Sequence, residues 1–336
     1  MNGSKYPIDM ARPHHLFRCP LQLTTLLLCA VSLAAQVEKN LAPSFQSLNA
    51  GRIDEAISLA RAANPQNAFS HNILCRAYYA ETLSDSAIPE CEAAVSVEPG
   101  NSEYTLWLGR AYGMKAEQGG PVTGLTMARR VHAMFERAVQ LDGNNISAMS
   151  DLGQFYVDAP AIIGGGYAKA EKLAARMQPI NAAGSHRLLA QVADKRKDYA
   201  TAEKEFSTAI AAEHSPAHLI DLAQFYQRRN RIDEAVAQLK QAVDLDRNSD
   251  ASIVDVASIL AEMHREPQLS IELYRRYLDS PNKSEAASAP QVHLRLGRLL
   301  QQSGDPAAAR REYQAALALA SGYRQAHAAL EKLPAQ

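Results

Sequence analysis

His214 and His218 stand four residues apart, the spacing that sets two imidazoles on one helix face toward a metal. Ser215 and Pro216 intervene, and Pro216 opens a helix rather than continuing one, so no metal site is expected. Gly164, Gly165 and Gly166 followed by Lys169 have the composition of a phosphate-cradling loop. No strand precedes them, and neither Ser nor Thr follows Lys169 in the GxxxxGK[ST] order, so the glycines read as freedom to turn into the next helix. The 336 residues contain no HExxH, GxSxG, CxxCH or dinucleotide fingerprint, and no CxxC for redox work. Asn145-Ile146-Ser147 and Asn282-Lys283-Ser284 have only the form of glycan acceptors. The sequence therefore predicts no catalytic residues, no metal and no cofactor, and points away from an enzyme.

What orders the chain is a period. From Ser44 to Leu333 small residues, leucines and aromatics return at roughly 34-residue spacing. The units from Asn72, His218 and His293 each read as two amphipathic helices joined by a short turn. Such a pair cannot bury its apolar face alone and must stack on copies of itself, which predicts an all-α solenoid of stacked antiparallel helix pairs. Eight units are expected, with second-helix small positions at Ala56, Ala87, Val131, Ala170, Ala202, Ala235, Ser270 and Ala309. Residues 323–336 supply a C-terminal capping helix and tail. Composition agrees: 47% hydrophobic, 6% aromatic and 21% charged. With 35 basic and 36 acidic residues there is no electrostatic bias toward nucleic acid or an anionic membrane.

The residues carrying this period resemble the tetratricopeptide-repeat family. The first-helix pattern, a Leu, a small residue and an aromatic three positions on, recurs as Leu74/Cys75/Tyr78, Leu108/Gly109/Tyr112, Leu152/Gly153/Tyr156 and Leu222/Ala223/Tyr226, with Leu296/Gly297/Leu300 close to it. Second helices supply Ala87/Cys91/Ala94, Ala202/Phe206/Ala209, Ala235/Leu239/Ala242 and Ala309/Tyr313/Ala316. The first unit departs from the pattern at Pro43 and Ser44, and the seventh at Ser270, Tyr274 and Tyr277. The resemblance covers residues 36–322 and implies a right-handed superhelix that binds a peptide or helix segment of a partner protein along its concave groove. Transferred to this sequence, the family's groove positions are Asn72, Arg76, Tyr79, Leu106, Arg110, Met114, Gln154, Arg187, Gln191, Gln224, Arg228 and Arg298. Arg76 and Arg110 hold the same position in adjacent units, where two guanidinium groups are expected to grip a carboxylate.

The same positions bear on Cys75 and Cys91. One takes the small place of a first helix and the other the aromatic place of its second, so they are expected to face each other and form a disulfide. Two packed thiols are the alternative. Histidines 71, 186 and 293 fall at one first-helix position, a repeated packing or groove role. Units three and four carry extra residues, 116–126 and 159–166, expected as neighbouring long loops that form a second contact surface, or as simple length variation.

Residues 1–34 read as an export signal. Arg12 and Arg18 precede an uncharged run from Leu21 to Ala35, and Ser32-Leu33-Ala34 fits a small-x-small cleavage site. An uncleaved anchor over residues 19–37 is the alternative, and Met10 is a second candidate start. The expectation is therefore an exported scaffold, periplasmic or envelope-associated, that binds a protein or peptide and meets the membrane only through its N-terminus. The alternatives are a structural subunit of an envelope assembly and a polysaccharide- or peptidoglycan-binding accessory protein.

Overall fold

A helix of this chain starts where a short polar side chain or a proline can serve the free N–H groups of its first turn. In the computed structural model, which describes residues 41–63 and 66–334, Asn67, Asn101, Asn145 and Asn181 cap four first helices. Their Oδ1 atoms accept from Phe69, Glu103, Ala148 and Gly184 N–H at 2.8 to 3.0 Å. Pro121, Pro216, Pro267 and Pro306 open four more helices, where no N–H is needed.

The first helices are α1 (41–49), α3 (Ala68–Ala80), α5 (Ser102–Gln118), α7 (Ile146–Asp158), α9 (Ala182–Lys195), α11 (Pro216–Arg228), α13 (Ala251–Glu262) and α15 (Ala289–Gln302). Their partners are α2 (Ile53–Ala63), α4 (Ser84–Val97), α6 (Pro121–Leu141), α8 (Tyr167–Met177), α10 (Tyr199–Ala212), α12 (Ile232–Leu245), α14 (Pro267–Asp279) and α16 (Pro306–Leu319), and α17 (Arg324–Glu331) follows the last pair. There is no strand among the described residues. The chain is an all-α repeat solenoid.

Six of the eight pairs turn in the same way. Gly51, Thr82, Lys197, Asn230, His264 and Gly304 stand after the first helix with φ between 53° and 86°. The next residue's N–H reaches back to the helix at 2.9 Å, as in Leu83 to Tyr78 O and Asp198 to Ala193 O. Pairs three and four, the two with extra residues, turn differently. In pair three the expected loop over 116–126 is absent: only Gly119 and Gly120 lie outside the helices, and the extra length extends α5 to 17 residues and α6 to 21. Ala116, Glu117 and Gln118 are good helix formers and Pro121 restarts the helix at once, so no loop survives. Pair four does carry an irregular link, with a single 3₁₀ turn at Ala161–Ile163 and Gly164 at φ 106°. Gly164 lies flat on the His132 ring of α6, where a Cβ would come within 2.5 Å of it.

Packing follows the period. Ala56, Ala87, Ala170, Ala202, Ala235 and Ala309 are fully buried, as is Ser270 in the seventh pair. First-helix glycines admit the aromatic of the partner helix: a Cβ on Gly109 would lie 2.6 Å from the Phe135 ring, and one on Gly297 2.4 Å from Tyr313. In pair seven, Tyr274 and Tyr277 are fully buried, and the Tyr277 hydroxyl donates to Ala287 O at 2.7 Å. Successive first helices touch one another while successive second helices make no comparable contact among the described residues, so the first helices form the inner wall of the curve.

The curve returns on itself. The turn edge of pairs one and two meets the opposite edge of pair eight and its cap: Gly51 packs on Ala289, and Gln291 donates to Ala80 O at 3.3 Å. Ser321 N–H donates to Asp54 and Gly322 N–H to Glu81, each at 2.9 Å. Arg76 forks onto the Glu285 carboxylate, with Nε to Oε1 at 3.0 Å. The export segment expected over 1–34 lies outside the described residues.

Candidate functional site: the inner wall

The inner wall is a ladder of charged and amide side chains, and its rungs join neighbouring pairs. Arg110 Nε donates to Asp151 Oδ2 at 2.7 Å, Arg187 Nε to Asp221 Oδ2 at 2.9 Å, and Arg228 Nε to Asp194 at 3.1 Å. Lys195 pairs with Asp158 at 2.7 Å, and Gln191 Nε2 donates to Gln154 Oε1 at 2.8 Å. Each rung spans one repeat in sequence. Arg295 donates to Ser258 at 3.0 Å and Arg298 reaches Gln325 at 3.5 Å, without an ion pair for either among the described residues.

The two arginines expected to grip one carboxylate of a partner are already paired within the chain. Both guanidinium groups lie over the one tryptophan, Arg76 at 4.8 Å and Arg110 at 4.7 Å from the Trp107 ring centroid, and each is neutralised by its own acid, Glu285 or Asp151. The acid partners come from elsewhere in the stack, so a reading confined to one helix position misses them. Asn72 and Leu106 are not groove residues either. They are 1% and 0% exposed, because a first helix is covered both by its own partner and by the next first helix, which widens its buried arc. Met114 is 8% exposed and faces an apolar depression, and Tyr79 beside it packs edge-on against Trp107 with centroids 5.5 Å apart.

Four depressions follow one another along this wall. The first, about 420 Å³, includes Tyr79, Arg110, Met114, Gln154 and Asp158. Gln154 and Asp158 also line the next, about 470 Å³, with Arg187, Gln191, Gln224 and Arg228. Arg187 and Gln224 continue into one of about 740 Å³, and Gln224 with Asp255 into the last, about 460 Å³, which reaches Arg295 and Arg298. Burial pushes the Asp255 carboxyl up, with Arg295 pulling the other way. The Asp221 carboxylate, 3.7 Å from its Nδ1, holds His218 above the ordinary imidazole value against the opposing effect of burial.

Histidines 71, 186 and 293 do not face the wall's depressions. Each Nδ1 lies 2.6 to 2.7 Å from a carboxylate 19 residues on, Glu90, Glu205 and Glu312, on the partner helix. The His–x₁₈–Glu spacing is visible in the sequence and marks a brace within pairs two, five and eight. Cys75 and Cys91 are joined by a disulfide with Cα atoms 5.1 Å apart, across the α3–α4 pair. Among the described residues no group of three or more His, Cys, Asp or Glu side chains is placed to hold a metal ion, and no helix is long and apolar enough to cross a membrane.

Residues 187–252 and 290–323 match tetratricopeptide-repeat families, and among the pairs between and before them pairs one, two and seven repeat the same turn geometry. The chain contains tetratricopeptide repeats. Similar solved structures include a thermophilic tetratricopeptide-repeat protein of Thermus thermophilus, 19% identical, covering 72% of this chain and 99% of that one with a TM-score of 0.42. A tetratricopeptide-repeat protein from Parabacteroides merdae is 13% identical over 88% of this chain and 97% of that one, TM-score 0.47. Yeast Tom70 is 17% identical, covering 82% of this chain and 58% of Tom70, TM-score 0.48. No curated protein matches the sequence. Tetratricopeptide repeats make the chain a protein-interaction scaffold.

Proposed function

We propose that the inner wall binds an extended or helical segment of a partner protein, without catalysis, in the cell envelope. The observation that carries the reading is the continuity of the track. Four depressions share Gln154, Arg187, Gln224 and Asp255 from one to the next, so one segment can lie against pairs two to eight without leaving the wall. Amide side chains at repeat spacing suit a partner backbone, because each offers both a donor and an acceptor. Gln191 uses its donor on Gln154 and leaves its buried Oε1 without a partner among the described residues, a state that costs about 1–3 kcal/mol until a donor arrives. The arginines are held in place by their aspartates before any partner binds, which lowers the ordering cost of association.

The envelope location rests on the leader-like run before Ala35 and on the joined cysteines, which belong to an oxidising compartment. Fusing residues 1–40 to a reporter enzyme that is active only after export tests it; a reporter that stays inactive removes the envelope from the reading. For the groove, peptides selected from a random library against the oxidised chain are titrated onto the wild type, onto Gln191→Leu/Gln224→Leu and onto Lys204→Glu. Lys204 is on α10, a second helix, away from the wall. Loss of binding in the double variant alone supports the track, and equal binding by all three moves the site to the second helices.

A further inference from the structure

The first depression differs from the other three in what builds it and in its chemistry. It sits over Gly113 of α5, and its walls come from the two segments that exceed the repeat length: the extended α6, through Ala128, Val131 and Phe135, and the irregular link of pair four, through Ala159 and Ile163. Tyr79, Met114 and Phe155 complete a mainly apolar lining, while the depressions further along are lined mainly by polar and charged side chains. His132 stacks on Phe155 with centroids 5.2 Å apart and supports Gly164 from below, so the link is held in place against α6. The volume, about 420 Å³, is in the range that encloses one large side chain with part of its backbone.

Two glycines four residues apart on α5 show that the space is real. A Cβ on Gly109 would strike the Phe135 ring at 2.6 Å, whereas the nearest atom to a Cβ on Gly113 is Val131 Cγ2 at 3.9 Å. The rim has a sign. Arg110 is paired with Asp151 and Lys195 with Asp158, while Glu117 makes no ion pair among the described residues. One carboxylate at an apolar mouth favours a cation beside an apolar group.

Resting on the groove reading above, we propose that this pocket is the anchor site for the partner segment, taking one large aliphatic or aromatic side chain that has a lysine or arginine next to it. The two over-length segments are then the specificity element of an otherwise polar track.

The selected library peptides test the assignment. They are expected to share an apolar residue adjacent to a basic one. Gly113→Leu fills the pocket and replaces glycine by a better helix former, so the variant should keep its helical circular dichroism and melting temperature. Its affinity for the selected peptides is expected to fall about tenfold or more. Glu117→Lys should keep the apolar preference and lose the basic one. Undiminished binding by Gly113→Leu overturns the pocket and leaves the groove reading standing if Gln191→Leu/Gln224→Leu still fails to bind. Binding undiminished in both variants overturns both, as does a library that yields no peptide at all.

Discussion

Arg76 and Glu285 are 209 residues apart in sequence and form a two-pronged ion pair, with both side chains nearly excluded from water. The Trp107 and Phe45 rings lie 4.8 and 5.2 Å from the same guanidinium. This pair joins the second repeat to the link before the eighth, and with Gln291, Ser321 and Gly322 it turns a curved stack into one that meets itself.

Removing one partner leaves the other charge buried and alone. Glu285→Ala is expected to lower stability by about 2–3 kcal/mol and to raise the radius of gyration measured by small-angle X-ray scattering. The exchange Arg76→Glu/Glu285→Arg should recover part of both losses. An unchanged scattering profile for Glu285→Ala would show that the remaining seam contacts suffice to hold the ends together.

Glu81 gives the seam a dependence on pH. Its carboxylate is 2% exposed, accepts from Gly322 N–H, and burial is the main cause that lifts its pKa above the ordinary glutamate value. A carboxyl whose folded pKa is raised takes up its proton more readily in the folded state, so the seam gains stability as pH falls from the folded value toward the ordinary one. Glu81→Gln keeps the acceptor without the charge. It should raise the melting temperature at pH 7 and give a smaller advantage near pH 4.5, as thermal melts at the two pH values would read out.

The Cys75–Cys91 bond closes a loop of 16 residues in sequence. Chain-entropy reasoning puts its contribution near ~3 kcal/mol. Reduction should therefore lower the melting temperature, with the earliest loss of hydrogen-exchange protection in α3 and α4. A Cys75→Ala/Cys91→Ala protein that melts with the oxidised wild type would make the bond incidental to stability.

Thr82 occupies the left-handed turn position with φ 59°, a conformation that crowds a β-branched side chain. Gly51 and Gly304 hold the same place in pairs one and eight. Thr82→Gly is expected to stabilise by about 0.5–1 kcal/mol, the relief of strain exceeding the added freedom of the unfolded chain. Chemical denaturation with unchanged slope checks it, and a lower midpoint contradicts it.

The repeated pairs are legible because the residues that pack them are local: Ala87, Cys91 and Ala94 lie on one helix face, and Gly297 announces the close approach of Tyr313. The turn of pair three is not legible from its residues, since Gly119, Gly120, Thr123 and Gly124 read as a loop, whereas Ala116 to Gln118 continue α5 and Pro121 starts α6 at once. The groove positions around Arg187, Gln191 and Gln224 sit on the wall, whereas Asn72 and Leu106 do not, because burial of a first helix depends on the neighbour stacked beside it. The seam has no local mark at all. Nothing near Arg76 in sequence announces Glu285, and only the accumulated curvature of the helix pairs brings them together.

In a linear stack the first and last units have one neighbour each and fray before the middle. Here α2 touches α16, and the turn of pair one carries Ala289 on its glycine, so the end units each have a second neighbour. Amides of the terminal helices should then exchange with solvent about as slowly as those of the central ones. Once the seam is cut, protection should decay from the ends inward, and a single cooperative loss of structure should become a graded one.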